Sequence, residues 1–445
     1  MPEIQSSPSI STKQRQIASR AKQICSGPLI SLHHFIDVAW LAEAHRRTQR
    51  RAATGVDGVT AEQYGLTLDA RLPELLSRAK SGAYRAPPVR RVHIPKDRGK
   101  TRPIGVPTHE DKVLQRAVAM VLEPIFEEEF YDFSYGFRPG RSAHQALAAL
   151  WHGTMKMGGG WILDVDVSKF FDSIDHQVCR DLLTRRVRDG VITRLVGKWL
   201  RAGVLEGGVV RHSDLGTPQG GVISPLLANI YLHYVLDEWW ANEVQPRLRG
   251  RSEMVRYADD LVMVFEHERD ARRVHAVLAL RLAKYGLTLH PDKTRLLPFR
   301  RPPAGGGRRP AAKPATFDFL GFTHYWGKAR NGRRVVKRKT MRSRQSRAIT
   351  TIDRWCSKHR HLPVDVQAAV LGRKLRGHYA YYGITGNIRS LKAVLYQVHR
   401  RWRKWLSRRS QRAELSWDRM LAILARHPLP QPTVVHSIYR RAAKP

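Results

Sequence analysis

Two short apolar segments that carry aspartates restrict the fold of this chain more than any other feature. Residues 161–167, Trp-Ile-Leu-Asp-Val-Asp-Val, alternate as a half-buried strand does. Residues 254–265 predict a strand, a four-residue turn and a second strand, with Tyr257-Ala-Asp-Asp260 at the tip. The tip follows Asp166 by about ninety residues. We expect a hairpin of this kind to present its carboxylates to a cleft.

Helices are predicted on either side of these strands. Thr108 and Asp111 form a capping-box-like pair ahead of an amphipathic helix, and Ser224-Pro225 is a good N-cap and first-turn pair for another. Residues 92–94 and 104–106 are short β-type pieces around a basic hairpin. Strands and helices mix without strict βαβ repetition, which predicts an α+β fold.

The charge of the chain indicates a polyanionic partner. Lys and Arg number 78 against 38 acids, a net charge of +40, and residues 326–445 hold 30 of these cations with only 4 acids. Nucleic acid is the first candidate for such a basic chain. Cys25, Cys179 and Cys356 lie far apart without a CxxC pair, which argues against a disulfide scaffold or a cysteine zinc site and fits a cytoplasmic location. No signal-peptide core or apolar run of membrane-spanning length is present in the sequence.

Changes in composition predict three parts. Residues 1–80 form a basic helical extension, residues 81–325 form the main α+β domain, and residues 326–445 form a helical RNA-binding domain. Residues 300–315 are rich in Pro and Gly, which predicts a flexible surface insertion.

Seven motifs occur in an order that resembles the reverse transcriptases of group II introns, with their fingers, palm and thumb. Any one alone is weak, but the set and its spacing are specific. The motifs are Ile94-Pro-Lys96 with Arg102-Pro-Ile-Gly105, Tyr135-Gly-Phe-Arg-Pro-Gly-Arg-Ser142, Asp166 to Phe171, Pro218-Gln-Gly-Gly-Val-Ile-Ser-Pro225, Tyr257 to Asp260, Lys293-Thr294 and Phe319-Leu-Gly-Phe322.

This resemblance implies a right-hand polymerase that uses two-metal catalysis. Asp166 and Asp259 would be the metal ligands, Val167 would lend its carbonyl, and Asp260 would complete the carboxylate cluster. Two ions about 4 Å apart activate the primer 3′-hydroxyl and neutralise pyrophosphate, and oxygen ligands favour Mg²⁺, with Mn²⁺ as an alternative.

The resemblance also implies the contacts to the incoming deoxynucleoside triphosphate. Lys96 and Arg102 would hold the triphosphate from the fingers, and Gln219 would lie against nucleotide and template. Phe171 would be the steric gate that excludes a ribose 2′-hydroxyl, and Lys293 is a candidate proton donor to pyrophosphate.

The basic tail resembles the maturase, or thumb, region of the same family in Leu375-Arg-Gly-His-Tyr-Ala-Tyr-Tyr-Gly383. Arg376, Tyr379 and Tyr382 are therefore candidates to bind intron RNA, because arginine pairs with phosphate and aromatic rings stack on unpaired bases. Arg138 and Arg141 would hold template backbone, with ordinary surface exposure as the alternative. Trp402 and Trp405 are predicted to lie mainly in a helical core.

Several residues and motifs keep simpler interpretations. Asp164 shares a strand face with Asp166 but lies outside the family's catalytic position, which favours a structural or solvent-facing role. Residues 164–175 resemble an EF-hand loop, but Lys169 replaces the required glycine. Residues 94–101 lack the first glycine of a P-loop. We expect no HNH endonuclease site after Trp417.

The sequence thus predicts an RNA-directed DNA polymerase that copies an RNA template from a DNA primer and binds its intron RNA as a maturase for splicing and for mobility into target DNA. One alternative is a related bacterial reverse transcriptase that serves defence, diversity generation or a CRISPR system. A second is a non-enzymatic RNA-binding splicing factor, which the intact aspartates disfavour. A third is an RNA-dependent RNA polymerase, which Phe171 disfavours.

Overall fold

The computed structural model describes residues 9–25, 27–49, 52–95, 101–211, 215–216, 220–303, 315–329, 331–410 and 414–437. The chain forms two compact units. The first comprises residues 1–142, 163–263 and 269–296, and the second comprises 143–162, 264–268 and 297–445. The second unit therefore begins before Trp326, so the change in composition there does not coincide with the division into units. Most of the predicted insertion, residues 304–314, lies outside the described residues.

Helices dominate the N-terminal part of the first unit, as the sequence predicts. They are α1 (Ile10–Gln23), α2 (Val38–Arg47), α3 (Ala61–Gly65), α4 (Leu68–Ser81) and α5 (His109–Phe126). Thr108 caps α5 by accepting a hydrogen bond from the Asp111 amide at 3.2 Å. Most side chains of α5 are buried, and α1 and α2 pack along it. It is therefore the central helix of this part of the unit.

A four-stranded sheet carries the basic hairpin. β1 (Val89–Pro95) pairs antiparallel with β2 (Thr101–Val106) and parallel with β4 (Val204–Glu206), which pairs with β5 (Val209–Arg211). The strand order is β2-β1-β4-β5. The predicted hairpin is confirmed, while its central residues 96–100 lie outside the described part.

The sheet that carries the aspartates has the order β6-β7-β3-β8. Its strands are β3 (Trp161–Val165), β6 (Ser252–Tyr257), β7 (Asp260–Phe265) and β8 (Arg295–Pro298). The further helices of the first unit are α7 (Phe170–Ser173), α8 (His176–Thr184), α9 (Gly190–Leu200), α10 (Ser224–Leu232) and α11 (Glu268–Ala283). The prediction of Ser224 as an N-cap is one residue off, because Ile223 takes that position and Ser224 opens α10.

The second unit contains a small sheet and a helical bundle. α6 (Ala143–Lys156) precedes the strands β9 (Phe317–Phe319), β10 (Phe322–Lys328) and β11 (Arg334–Thr340), which are ordered β11-β10-β9. The bundle consists of α12 (Arg342–Lys358), α13 (Val364–Tyr382), α14 (Ile388–Ser407) and α15 (Trp417–Arg426). Trp402 is fully buried and Trp405 packs against the same core, as predicted. No helix in the described parts of the chain is long and apolar enough to cross a bilayer.

Candidate active site and nucleic-acid surface

The hairpin that carries the paired aspartates has a tighter turn than the sequence predicts. β6 ends at Tyr257 and β7 begins at Asp260, so only Ala258 and Asp259 form the turn. Ala258 has a φ of 56°, in the left-handed region where a Cβ atom is strained. Such a conformation persists where the surrounding structure enforces it.

Buried Arg256 supplies part of that enforcement. Its side chain is 0% exposed and pairs with the equally buried Asp237, with Nε donating at 2.8 Å. Nη1 donates to the Asn229 side chain at 3.0 Å and to the carbonyl of Ala258 at 3.2 Å. A buried guanidinium is stable only when its donors are paired, and one of these bonds ends on the strained turn. Arg256 therefore fixes the backbone from which Asp259 projects.

Gly136, in the Tyr135–Ser142 motif, packs directly against the same turn. A Cβ atom at this position would lie 2.3 Å from the amide nitrogen of Ala258, so only glycine fits. Asn229 donates to the carbonyl of Gly136 at 2.6 Å, and the amide of Tyr135 donates to the carbonyl of Arg256 at 2.9 Å. The motif thus supports the aspartate hairpin through its backbone.

Asp166 lies just beyond β3 and is held by the segment that follows α11. The amide of His290 donates to its carbonyl at 2.7 Å, and Val167 forms an antiparallel bridge with Leu289. Lys293 places its ammonium 2.6 Å from a carboxylate oxygen of Asp166. Both side chains are partly exposed, so the pair contributes little to stability but leaves a cation beside the carboxylate.

A cavity of about 880 Å³ lies at this site in the first unit. The sequence-predicted residues that line it are Asp166, Val167, Asp259, Asp260, Arg102, Phe171 and Lys293. The cavity thus unites the carboxylates with three predicted nucleotide contacts. Lys96 and Gln219 lie outside the described residues.

The donor set at the cavity fits a hard divalent cation. Asp166, directly after β3, and Asp259, in the turn between β6 and β7, offer carboxylate oxygens, and Val167 offers a carbonyl; these are the ligand types that Mg²⁺ prefers. Within the described residues, no group of three or more His, Cys, Asp or Glu side chains is placed to hold one ion.

Phe171 faces the cavity because its neighbours fix the short helix α7. Lys169 precedes this helix with a φ of 45°, and Phe170 is buried against Tyr231 with ring centroids 6.4 Å apart. Across the cavity wall, Gly216 packs on the backbone of Phe171 and Asp172, where a Cβ atom would approach to about 3.1 Å. The Phe171 side chain is half-buried and lines the cavity, and its role as a steric gate stays a prediction.

Several cavity residues were not predicted from the sequence. Arg91, Arg211 and Lys169 add positive charge to the wall, and His290 lies beside the carboxylates. Arg91 lies on β1, the partner strand of β2, so the hairpin pattern contained a signal for it. The role of Arg256 was not predictable in the same way, because its hydrogen bond to the carbonyl of Ala258 depends on a turn conformation that the residue types alone do not specify.

The structure corrects the prediction for Arg138. Its side chain is 2% exposed, pairs with Glu127 and donates at 2.7 Å to the carbonyls of Tyr131 and Ser134. Arg138 therefore binds the protein's own backbone and is not available to RNA. Arg141 is partly exposed and pairs with Asp132 at 2.6 Å, so its RNA contact stays a prediction.

Burial also corrects one of the predicted RNA contacts in the second unit. Tyr379 is 3% exposed and belongs to the core of the helical bundle, where burial raises its pKa to about 12. Its ring is not available to stack on a base. Tyr382 is half-buried against Phe322, with centroids 5.3 Å apart, whereas Arg376 is exposed on α13. The RNA contacts of Tyr382 and Arg376 stay predictions.

A basic groove of about 940 Å³ lies elsewhere on this bundle, along the end of α14. We call it the arginine groove; the residues that line it are Arg360, Arg400, Arg401, Arg403, Lys404, Ser407, Arg408, Arg409, Ser410, Glu414 and Trp417. Arg403 lies 4.7 Å from the ring centroid of Trp417, and Lys404 and Arg408 flank the ring of Trp405. Seven cations with one carboxylate form a surface suited to phosphate.

Comparison with known proteins agrees with this geometry. Residues 94–324, more than half of the chain, match the family described as Reverse transcriptase (RNA-dependent DNA polymerase). The match confirms the predicted fold and enzyme class. The chain is 38% identical over 293 residues to Protein YkfC of Escherichia coli (strain K12), which covers 57% of this chain and 75% of that protein.

Two further relatives carry names that refer to introns. The chain is 38% identical over 200 residues to Group II intron-encoded protein LtrA of Lactococcus lactis subsp. cremoris, covering 44% of this chain and 32% of LtrA. It is 33% identical over 117 residues to Nuclear intron maturase 1, mitochondrial, of Arabidopsis thaliana, covering 25% of this chain and 16% of that protein. The matched part thus spans about a third of LtrA. The chain belongs to the reverse transcriptase (RNA-dependent DNA polymerase) family and is related within it to the proteins that group II introns encode.

Proposed function

We propose that this chain extends a DNA primer on an RNA template from deoxynucleoside triphosphates at the cavity around Asp166 and Asp259. The observation that carries the proposal is the union, in one cavity, of these carboxylates with Arg102, Phe171 and Lys293. Mg²⁺, when bound, lowers the pKa of the primer hydroxyl and stabilises the leaving pyrophosphate.

The protein's own groups hold and select the substrate. Arg102 is exposed near the start of β2, where its guanidinium pairs with triphosphate oxygens. Phe171 blocks the space of a ribose 2′-hydroxyl. Lys293, beside Asp166, holds a proton near the leaving group and balances the negative charge of the carboxylates. Lys96 and Gln219 complete the nucleotide contacts in this proposal.

Primer extension tests the polymerase proposal. Purified protein, an RNA template, a DNA primer, deoxynucleotides and Mg²⁺ should give extension, and Asp259→Asn should lower its rate roughly a thousandfold because a metal ligand is lost. Asp164→Asn is the matched control, since Asp164 lies on β3 and pairs with Arg295 at 3.0 Å. Equal losses in both variants would count against Asp259 as a ligand. Tight RNA binding without extension by the unaltered protein would favour the splicing-factor alternative.

The proposal includes a second role, in which the chain binds structured intron RNA as a maturase that assists splicing and mobility into target DNA. The arginine groove supports this role, because its cations lie on one surface where they can follow a phosphate backbone. Arg376 on α13 offers a further exposed cation. We also propose that the protein acts in the cytoplasm, as the sequence predicts.

Salt dependence tests the groove. Arg400→Gln together with Arg408→Gln should weaken RNA binding and flatten the plot of log affinity against log salt by roughly 0.7 for each phosphate that is no longer neutralised. Arg269→Gln together with Arg273→Gln removes the same charge from the exposed surface of α11 and is the matched control. An unchanged slope in the groove variant, or an equal change in both variants, would contradict a specific contact with RNA phosphate.

A further inference from the structure

A buried carboxylate in the first turn of α5 has no role in the chemistry described so far. Asp111 is 1% exposed, and burial raises its pKa to about 6. It accepts hydrogen bonds from the hydroxyl of Tyr84, from Nε1 of Trp199 at 2.7 Å and from Nε2 of Gln115 at 3.0 Å. Burying a carboxylate is costly, so its retention among three neutral donors calls for a reason beyond packing.

Gln115 connects this carboxylate to the segment that precedes α10. Its amide nitrogen donates to Asp111, and its Oε1 accepts a hydrogen bond from the backbone amide of Ile223 at 3.3 Å. An ionised carboxylate only accepts hydrogen bonds, so Asp111 must face the NH₂ end of the amide. The oxygen of Gln115 is thereby directed toward Ile223. The charge on Asp111 thus determines that the oxygen of the Gln115 side-chain amide, and not its NH₂ group, faces the backbone amide of Ile223.

The segment from Gly220 to Ile223 is also confined at Gly220, which packs closely against β2. Gly220 has a φ of 121°, and a Cβ atom there would lie 2.4 Å from the carbonyl oxygen of Gly105 in β2. The same strand carries Arg102, which lines the cavity. Gln219, the predicted nucleotide contact, is the residue directly before Gly220 in the sequence.

We propose that Asp111 and Gln115 are positioning residues that hold the Gly220–Ile223 segment against β2 and thereby set the affinity for the incoming deoxynucleotide. The inference rests on the proposed polymerase function. Neither residue is among those that line the cavity. Their effect passes through the orientation of one amide and one backbone hydrogen bond, so it acts on nucleotide binding more than on the chemical step.

Steady-state extension with varied deoxynucleotide tests the proposal. Asp111→Asn has the same shape, but its NH₂ group would face the NH₂ of Gln115 and turn that amide around, which places a donor against the amide of Ile223. Gln115→Leu removes the bond directly. Both variants should raise KM for the deoxynucleotide about tenfold, the equivalent of one hydrogen bond, with kcat changed about twofold or less. The control Glu110→Gln neutralises the adjacent carboxylate of α5, which pairs with Arg78, and should leave KM unchanged.

A double variant makes the test specific to the hydrogen-bond chain. Asp111→Asn combined with Gln115→Glu transfers the carboxylate from position 111 to position 115. The NH₂ group of the asparagine at 111 then donates to one oxygen of the glutamate at 115, and the other oxygen accepts from the amide of Ile223. This variant should recover KM to within about threefold of the unaltered protein, a coupling that a double-mutant cycle measures.

The outcomes separate this inference from the polymerase proposal. If the unaltered protein does not extend primers, the proposed function fails. If it does, and the single variants show unchanged KM, or a fall in kcat and melting temperature without recovery in the double variant, the positioning role is overturned.

Discussion

The cavity in the first unit and the arginine groove in the second both concentrate charge, but they hold it in different ways. Around the cavity, the turn that carries Asp259 depends on a fully buried ion pair, a left-handed alanine and a glycine with no room for a Cβ atom. In the groove, cations such as Arg400 on α14 and Arg408 directly after it are exposed to solvent. In the proposed function, the chemistry therefore depends on a fixed backbone, whereas RNA binding depends on the summed charge of the groove.

Removal of Arg256, a fully buried cation of the first unit, should have the largest effect. Arg256→Met should lower the free energy of unfolding by about 3–5 kcal/mol, because Asp237 is left buried and unpaired. Denaturant unfolding measures the loss. Arg295→Met is the control, since the pair of Arg295 with Asp164 is partly exposed and should contribute less than about 1 kcal/mol. Equal losses of unfolding free energy in the two variants would contradict the expected difference between a buried and a partly exposed ion pair.

A double variant distinguishes the contribution of Arg256 to stability from its role in positioning the turn that carries Asp259. Arg256→Met with Asp237→Leu removes both charges and should recover most of the lost stability. Extension should stay low, because the bonds to Ala258 and Asn229 are still missing. Recovery of full activity together with stability would show that Arg256 does not position Asp259.

The same contrast explains what the sequence could predict. The hairpin was predictable because strand periodicity reflects local backbone demands, whereas the roles of its aspartates and of Phe171 were inferred from the resemblance of the ordered motifs to a known family. The conformation of Ala258 was not, since it is enforced by Arg256 and Gly136 from other elements. Tyr379 and Arg138 were misassigned because composition does not reveal which side of a helix or turn is buried.

A second test concerns selection at the cavity wall. Phe171→Ala should reduce the preference for deoxynucleotides over ribonucleotides by about a hundredfold, because the ring no longer occupies the space of the 2′-hydroxyl. Competing the two nucleotides in single-nucleotide extension measures the ratio. The control Tyr257→Phe keeps a ring near the hairpin and should retain the preference. Unchanged discrimination in Phe171→Ala would remove the gate assignment.

The smallest expected effect is at the exposed ring of the arginine groove. Trp417 is 41% exposed beside Arg403, so it is available to stack on an unpaired base. Trp417→Leu should weaken RNA binding about fivefold, roughly 1 kcal/mol, without changing the salt slope. Leu421→Ala, at an exposed position of the same helix, is the control. A change in the salt dependence of RNA affinity would show that Trp417 positions the neighbouring cations and does not stack on a base.

Single-turnover extension at saturating RNA template and primer, with RNA affinity measured on the same preparations, distinguishes the roles of the two regions in one experiment. We predict that Asp259→Asn binds RNA with unchanged affinity and extends roughly a thousandfold more slowly than the unaltered protein. The variant with Arg400→Gln and Arg408→Gln should bind more weakly and extend at the unaltered rate once saturated. Extension by Asp259→Asn at a rate close to that of the unaltered protein, or a slow rate in the groove variant at saturation, would contradict the assignment of catalysis to the cavity and of RNA binding to the groove.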